Sequence, residues 1–160
     1  MHKLPRFAAA ALATVALTTT VPAEAQAGPA HFGPHVTYNF DSEKTALGPQ
    51  LSIPIARHLE FYPSFDWFFV DNGSLWAMNI DLKYRVEGEN AGWLYLGGGL
   101  NLSRSNPDQG NSSSDSRANL FAGIQSMRGN IHPFVELRAL LGSGSSAQMM
   151  AGLNFTLGSR

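Results

Sequence analysis

The segment LWAMNIDLKYRV, residues 75–86, alternates strictly between apolar and polar side chains. Every second residue from Trp76 to Val86 is apolar, and the residues between them include Asp81 and Lys83. A period of two predicts a β-strand with one apolar and one polar face. In a soluble sheet the apolar face meets the core, whereas in a membrane barrel it meets lipid and the polar face points inward.

The same alternation recurs along the chain, in about eight segments that are separated by turn-like residues. The segments cover residues 31–40, 47–55, 58–69, 75–86, 93–104, 117–127, 131–141 and 148–157. Connections such as VDNGS and GSGSS are rich in the residues that turns require. No helical period of comparable length follows residue 28, so the pattern predicts an all-β fold, an eight-stranded antiparallel up-and-down barrel.

The first 27 residues have the layout of a secretory signal peptide: a basic start, an apolar run too short to span a membrane, and two Ala-x-Ala endings. Cleavage is predicted after Ala25 or Ala27, which leaves residues 28–160 as the barrel domain. The chain contains no cysteine, so neither disulfides nor thiol chemistry are available. Its formal net charge of −1 gives no reason to expect a nucleic acid partner.

Aromatic residues on the apolar face fall at two heights if the N-terminus lies in the periplasm and successive strands alternate in direction. The periplasmic group is Phe32, Phe61, Tyr84 and Phe155, and the outer group is Tyr38, Phe40, Trp67, Phe69 and Trp76. Aliphatic side chains such as Ile80 lie between the two groups. Two aromatic girdles around an aliphatic band are typical of the lipid-facing surface of an outer-membrane barrel.

The opposite row carries charges of both signs. It contains Glu60, Asp66, Asp81, Lys83, Arg85, Glu136 and Arg138. An eight-stranded barrel is just wide enough for side chains to fill its interior, so these charges are expected to pair there, with Glu60 opposite Lys83. Aromatic residues are expected to plug the same lumen, which argues against a pore; they are Tyr62, Trp93, Tyr95, Phe121 and Phe134.

The connections are predicted to differ between the two ends of the barrel. The longest, SNPDQGNSSSDS at residues 105–116, falls on the extracellular side under this topology. Long extracellular loops and short periplasmic turns are usual in outer-membrane barrels. The outer loops are therefore the candidate contact region for an extracellular or envelope partner.

With these features the chain resembles the small eight-stranded outer-membrane β-barrels of the OmpA/OmpX-like group. The most specific element is the last strand, where Met150, Gly152, Phe155 and Leu157 have the spacing of the family's assembly signal. The resemblance implies a location in the bacterial outer membrane, contact with outer-membrane lipid and insertion by the barrel-assembly machinery. It also implies a non-enzymatic role in envelope integrity or surface interaction, without a cofactor.

Two other functions stay open at this stage. A lipid A modifying enzyme would need Ser, His and a carboxylate near the outer leaflet. However, His31, His35, His58 and His132 lie at or near periplasmic strand ends, and the local His-x-Ser run of the deacylases is absent. His31 and His35 are about 13 Å apart along one strand, too far for one metal ion, so no catalytic or metal site is predicted. The third possibility is a soluble periplasmic lipocalin-like binding barrel, whose interior would be the apolar row.

Overall fold

The computed structural model describes residues 28–86, 93–108, 110–142 and 144–158. The predicted signal peptide, residues 1–27, lies outside the described residues. The strands are β1 (His31–Asn39), β2 (Lys44–Pro54), β3 (Leu59–Phe61), β4 (Ser64–Phe68), β5 (Ser74–Arg85), β6 (Leu94–Asn106), β7 (Ser113–Gln125), β8 (Ile131–Leu141) and β9 (Ser146–Thr156). Among the described residues no helix is long and apolar enough to cross a membrane.

The strands close into a barrel because β1 pairs with β2 on one side and with β9 on the other. All pairings are antiparallel, including the closing pair of β1 and β9. β3 and β4 both pair with β2 and with β5, and they keep one register against each neighbour. They are therefore two parts of one barrel strand, and the predicted eight-stranded up-and-down barrel is confirmed.

The interruption between β3 and β4 falls at Tyr62 and Pro63. Proline has no backbone N–H to donate to a neighbouring strand. Backbone hydrogen bonds nevertheless continue on both sides, since Tyr62 N donates to Asp81 O at 2.9 Å and Leu51 N donates to Pro63 O at 2.9 Å. The proline thus removes a ladder bond without changing the register of the strand.

The barrel has a loop end and a terminal end. The loop end is where β1 leads into β2, β4 into β5, β6 into β7 and β8 into β9. The terminal end is where β2 leads into β3, β5 into β6 and β7 into β8, and it also holds the start of β1 and the end of β9. The predicted long loop at residues 105–116 is wrong in extent. Its serine-rich flanks pair as strands, with Ser105 opposite Ser113, because a ladder of backbone hydrogen bonds does not require apolar side chains. The expected difference in connection length between the ends is therefore not observed.

The interior of the barrel is polar and its outer surface is apolar. On β5, Met78, Ile80 and Leu82 are exposed, whereas Asp81 and Lys83 are each only 1% exposed. A soluble lipocalin-like barrel would bury the first row and expose the second, so this arrangement contradicts that possibility. Six of the buried apolar residues form two small clusters: Ala46, Phe68 and Ala77 in one, and Tyr62, Tyr95 and Phe121 in the other.

Candidate functional site

The outer surface of the barrel carries a continuous apolar band. Its exposed aliphatic and methionine members include Val36, Leu47, Met78, Ile80, Leu82, Leu96, Leu100, Leu120, Ile124, Val135 and Leu137. Soluble monomers rarely expose apolar patches larger than a few hundred Å². A band that encircles the molecule is instead the surface that hydrocarbon chains contact in outer-membrane barrels.

Aromatic side chains border this band at both ends, and the nine predicted girdle residues all belong to the outward-facing row. At the terminal end Phe32 lies directly opposite Phe155 on neighbouring strands, and Phe61 and Tyr84 lie on β3 and β5. At the loop end the corresponding residues are Tyr38, Phe40, Trp67, Phe69 and Trp76. Trp67 lies opposite Trp76 across the β4–β5 pair, and the rings of Tyr38 and Phe40 meet at 5.3 Å.

One aromatic residue lies on the other side of the wall from its predicted position. Trp93 was expected to plug the lumen, but it precedes β6, is 49% exposed and borders a surface groove with Ile124 and Val135. Trp93 lies one residue before β6, and although its carbonyl oxygen accepts the N–H of Gln125 at 2.7 Å, its side chain does not follow the alternation of β6. Trp93 therefore lies with the aromatic residues of the terminal end, which the sequence pattern did not reveal.

The lumen contains a first charge cluster towards the terminal end. Glu60 lies directly opposite Lys83, as predicted, and Lys83 Nζ is 2.6 Å from its carboxylate. Arg85 pairs with the same carboxylate, and Ser52 donates a hydrogen bond to it. The ammonium group of Lys83 also lies over the rings of Tyr62 and Tyr95, at 4.5 and 5.0 Å from their centroids. These contacts compensate for the removal of both charges from water.

A second cluster surrounds Arg138, whose side chain is fully buried. Its guanidinium is 2.8 Å from a carboxylate oxygen of Asp81 and 2.9 Å from one of Glu136. Neutral donors complete the shell of the two acids: Asn119 donates to Asp81 at 2.9 Å, and Tyr95 donates to Glu136 at 3.1 Å. One guanidinium thus links two strands' carboxylates across the middle of the lumen.

The seventh predicted lumen residue, Asp66, has a different kind of partner. No lysine or arginine of the described residues pairs with Asp66. His35 Nε2 lies 3.0 Å from its carboxylate, Thr37 donates to it at 2.6 Å and Asn79 donates at 3.1 Å. The four acids Glu60, Asp66, Asp81 and Glu136 are therefore matched by three strong cations and His35.

These neutral partners were missed in the sequence, although a signal was present. Thr37, Asn79 and Asn119 all occupy the same alternating row as the charges. A pattern of period two states that they point inward, but it does not state which residue on a distant strand each one meets. The contacts depend on closure of the barrel, which brings residues far apart in the sequence together.

Two histidines meet at the terminal end of the lumen. The rings of His31 and His132 are 4.9 Å apart in an edge-on arrangement. His132 Nδ1 lies 2.9 Å from the carbonyl oxygen of Ser126, and because a carbonyl oxygen only accepts, Nδ1 is the donor. The other ring nitrogen, Nε2, forms a hydrogen bond with the hydroxyl of Thr156 at 2.9 Å. Across the described ranges, no cluster of three or more His, Cys, Asp or Glu has the geometry to hold a metal ion.

The predicted assembly signal lies on the closing seam. Gly152 faces His35 across the β9–β1 pair, and Phe155 faces Phe32 on the outer surface. Leu157 follows β9 and is exposed, while its N–H donates to the carbonyl of Ala30 at 2.8 Å. Whether the assembly machinery reads these residues stays a prediction.

A cavity opens at each of the two mouths of the lumen, and side chains fill its middle. The aromatic side chains Tyr62, Tyr95, Phe121 and Phe134 are buried there, as predicted, together with the charge clusters. A cavity of about 430 Å³ opens at the terminal end and one of about 360 Å³ at the loop end. The arrangement provides a stable plug and two shallow vestibules.

Known proteins resemble this chain in structure only. No protein-family model and no curated protein sequence matches it. The N-terminal β-barrel domain of Pseudomonas aeruginosa OprF is similar with a TM-score of 0.62 at 17% identity, over 79% of this chain and 96% of that one. Neisserial surface protein A, NspA, is similar with a TM-score of 0.56 at 15% identity, over 80% and 94% of the two chains. The fold is thus that of the small eight-stranded outer-membrane barrels, as the sequence predicted.

Proposed function

We propose that the protein is a non-enzymatic component of the bacterial outer membrane, whose filled barrel anchors its loop end at the cell surface. The observation that carries this proposal is the reversed polarity of the barrel: apolar side chains cover the outside, and paired charges fill the inside. The similarity to the OprF domain and to NspA supports the location. Envelope integrity and surface interaction are the roles that a plugged anchor of this size can serve.

The proposal includes export through a signal peptide at residues 1–27. Its basic start, short apolar run and small-residue cleavage sites are the supporting features. Intact-mass and N-terminal analysis of the protein recovered from outer membranes tests this part. We expect a mature chain that begins at Gln26 or Gly28, and recovery of an uncleaved chain from the outer membrane would contradict it.

Membrane fractionation combined with heat-modifiable gel migration tests the location. A closed barrel resists unfolding by detergent without heating, so the boiled and unboiled protein are expected to migrate differently. We expect the folded form in the outer-membrane fraction and only there. Recovery of folded protein in the soluble periplasmic fraction would overturn the proposal.

The enclosed position of His35 supports a non-enzymatic role. His35 and Asp66 form a histidine–carboxylate pair, but His35 is only 1% exposed and lies inside the plugged lumen, away from any lipid-accessible edge. Mass spectrometry of lipid A from cells with and without the protein is the decisive measurement. We expect identical acyl patterns, whereas a changed pattern would establish an activity.

A further inference from the structure

The vestibule at the loop end has the composition of a ligand site. Its volume of about 360 Å³ is at the lower end of the range of small-molecule pockets. Two amides, Asn101 and Gln148, line it and are nearly fully buried. Neither Asn101 Oδ1 nor Gln148 Oε1 has a hydrogen-bond partner among the described residues. Buried acceptors without partners are rare in proteins, so these two indicate a ligand that donates hydrogen bonds.

The orientation of the Asn101 amide follows from a chain of contacts that starts at Asp66. The carboxylate of Asp66 only accepts, so the group that Asn79 turns towards it, at 3.1 Å, must be the NH₂ group. The Asn79 oxygen then faces Asn101, whose Nδ2 donates to it at 2.7 Å. The remaining polar atom of the Asn101 amide is therefore its oxygen, which can only accept. Rotating either amide by 180° would place two donors or two acceptors against each other and break these hydrogen bonds.

The charges around the vestibule favour a neutral ligand. Arg117, the cation that lines it within the described residues, already pairs with Asp115 at 3.1 Å. The carboxylate of Asp41, which also lines the vestibule, accepts the N–H of Ala147 at 2.8 Å. The charged residues that line the vestibule within the described ranges are one cation and one anion, so their net charge is zero and neither an anionic nor a cationic ligand is favoured.

The remaining walls combine hydroxyl and apolar groups. Ser103 and Ser146 line one part, and the cluster of Phe68 and Ala77 lines another. A sugar ring presents hydroxyl groups that both donate and accept, together with a C–H face that packs on apolar side chains. We propose that the loop-end vestibule binds one residue of a neutral saccharide, whose hydroxyls donate to Asn101 and Gln148. The binding of a saccharide is proposed independently of the membrane location. Only the suggestion that the saccharide is one of the cell envelope rests on the proposed function, which places the loop end at the cell surface.

The test uses the full mature chain in phosphocholine nanodiscs, because glycoside detergents would compete for the site. Neutral methyl glycosides are the probes, and glucuronate and glucosamine are their anionic and cationic counterparts. Binding is followed by saturation-transfer NMR and calorimetry. We expect a neutral glycoside to bind with millimolar or better affinity and the charged counterparts to bind at least tenfold more weakly. The absence of glycoside binding, or tighter binding of a charged counterpart, would overturn the assignment without affecting the proposed membrane location.

Two variants locate the site, each with a matched control. Gln148→Leu removes a buried acceptor, and we expect at least a tenfold loss of affinity; Gln125→Leu makes the same change to a buried amide outside the vestibule and should have no effect. Ser145→Trp blocks the mouth from an exposed position and needs no change in the lumen, so it tests the site even if Gln148→Leu does not fold. Its control is Ser112→Trp, on a connection that does not line the cavity. Equal effects of a variant and its control would contradict the proposal.

A second set of nanodiscs distinguishes the two sources of the saccharide. These discs contain lipopolysaccharide, which places sugars beside the loop end of the barrel. Loss of free glycoside binding in these discs identifies the lipid headgroup as the ligand, and retention identifies a free saccharide. Both results support the site and assign its source.

Discussion

Because the barrel wall is apolar on its outside, the cost of placing a charged residue at a single outward-facing position should depend steeply on the depth of that position in the bilayer. Ile80 faces outward at the middle of β5, whereas Leu141 faces outward at the loop end of β8. In a bilayer, Ile80→Arg should lower the free energy of unfolding by about 2–4 kcal/mol and Leu141→Arg by about 0–1 kcal/mol. Denaturant unfolding in phospholipid vesicles, followed by tryptophan fluorescence, measures both. Equal small effects would show that the band faces water.

Arg138 is the cation that Asp81 and Glu136 share in the second charge cluster. Arg138→Met leaves Asp81 and Glu136 buried without their shared cation, and we expect a loss of about 3–5 kcal/mol in the free energy of unfolding. Adding Asp81→Asn and Glu136→Gln removes the two uncompensated charges and should recover most of the loss. The same vesicle unfolding assay compares the single and triple variants. A triple variant as unstable as the single one would mean that packing, and not charge, dominates at this site.

Among the strand pairs, the closing pair of β1 and β9 needs a residue without a side chain at Gly152 in order to pack closely. A Cβ at Gly152 would overlap the carbonyl oxygen of Pro34 and lie 2.7 Å from a ring carbon of Phe134 and 2.8 Å from His35 Cβ. Gly152→Ala should therefore destabilise the seam by about 1–3 kcal/mol, as expected for overpacking. Heat-modifiable migration should show a smaller folded fraction. Ala151→Val, on the outer face of the same strand, is the control and should fold normally.

The direction of every central strand position could be predicted from the sequence, because period two depends only on local backbone geometry. The register of Glu60 and Lys83 was also predictable, since a tight connection fixes which residues face each other. The end of β6 and the start of β7 could not be predicted, because these serine-rich segments have no alternation of apolar and polar residues. The pairing of His35 with Asp66 could not be predicted either, because it depends on where non-neighbouring strands meet around the closed lumen.

Considered as a whole, the barrel has a lumen that is filled with side chains. Tyr62, Tyr95 and Phe121 pack across the lumen, and the clusters of Glu60 and Arg138 occupy the space around them. Water-filled channels are found in barrels of about 16 strands or more, whose lumen is too wide for side chains to fill. Ions would have to displace buried, paired charges in order to pass, so the free-energy barrier is that of breaking these pairs.

We therefore expect no stepwise conductance when the purified, folded protein is added to a planar bilayer. The measurement is single-channel recording, with protein shown to be folded by heat-modifiable migration and a large porin as the positive control. Arg138→Met with Phe121→Ala shortens two of the side chains that fill the middle of the lumen, and it should raise conductance if the variant folds. Discrete openings of the unmodified protein would contradict a filled lumen, because the contacts of Arg138 would then have to exchange with water on the recording timescale.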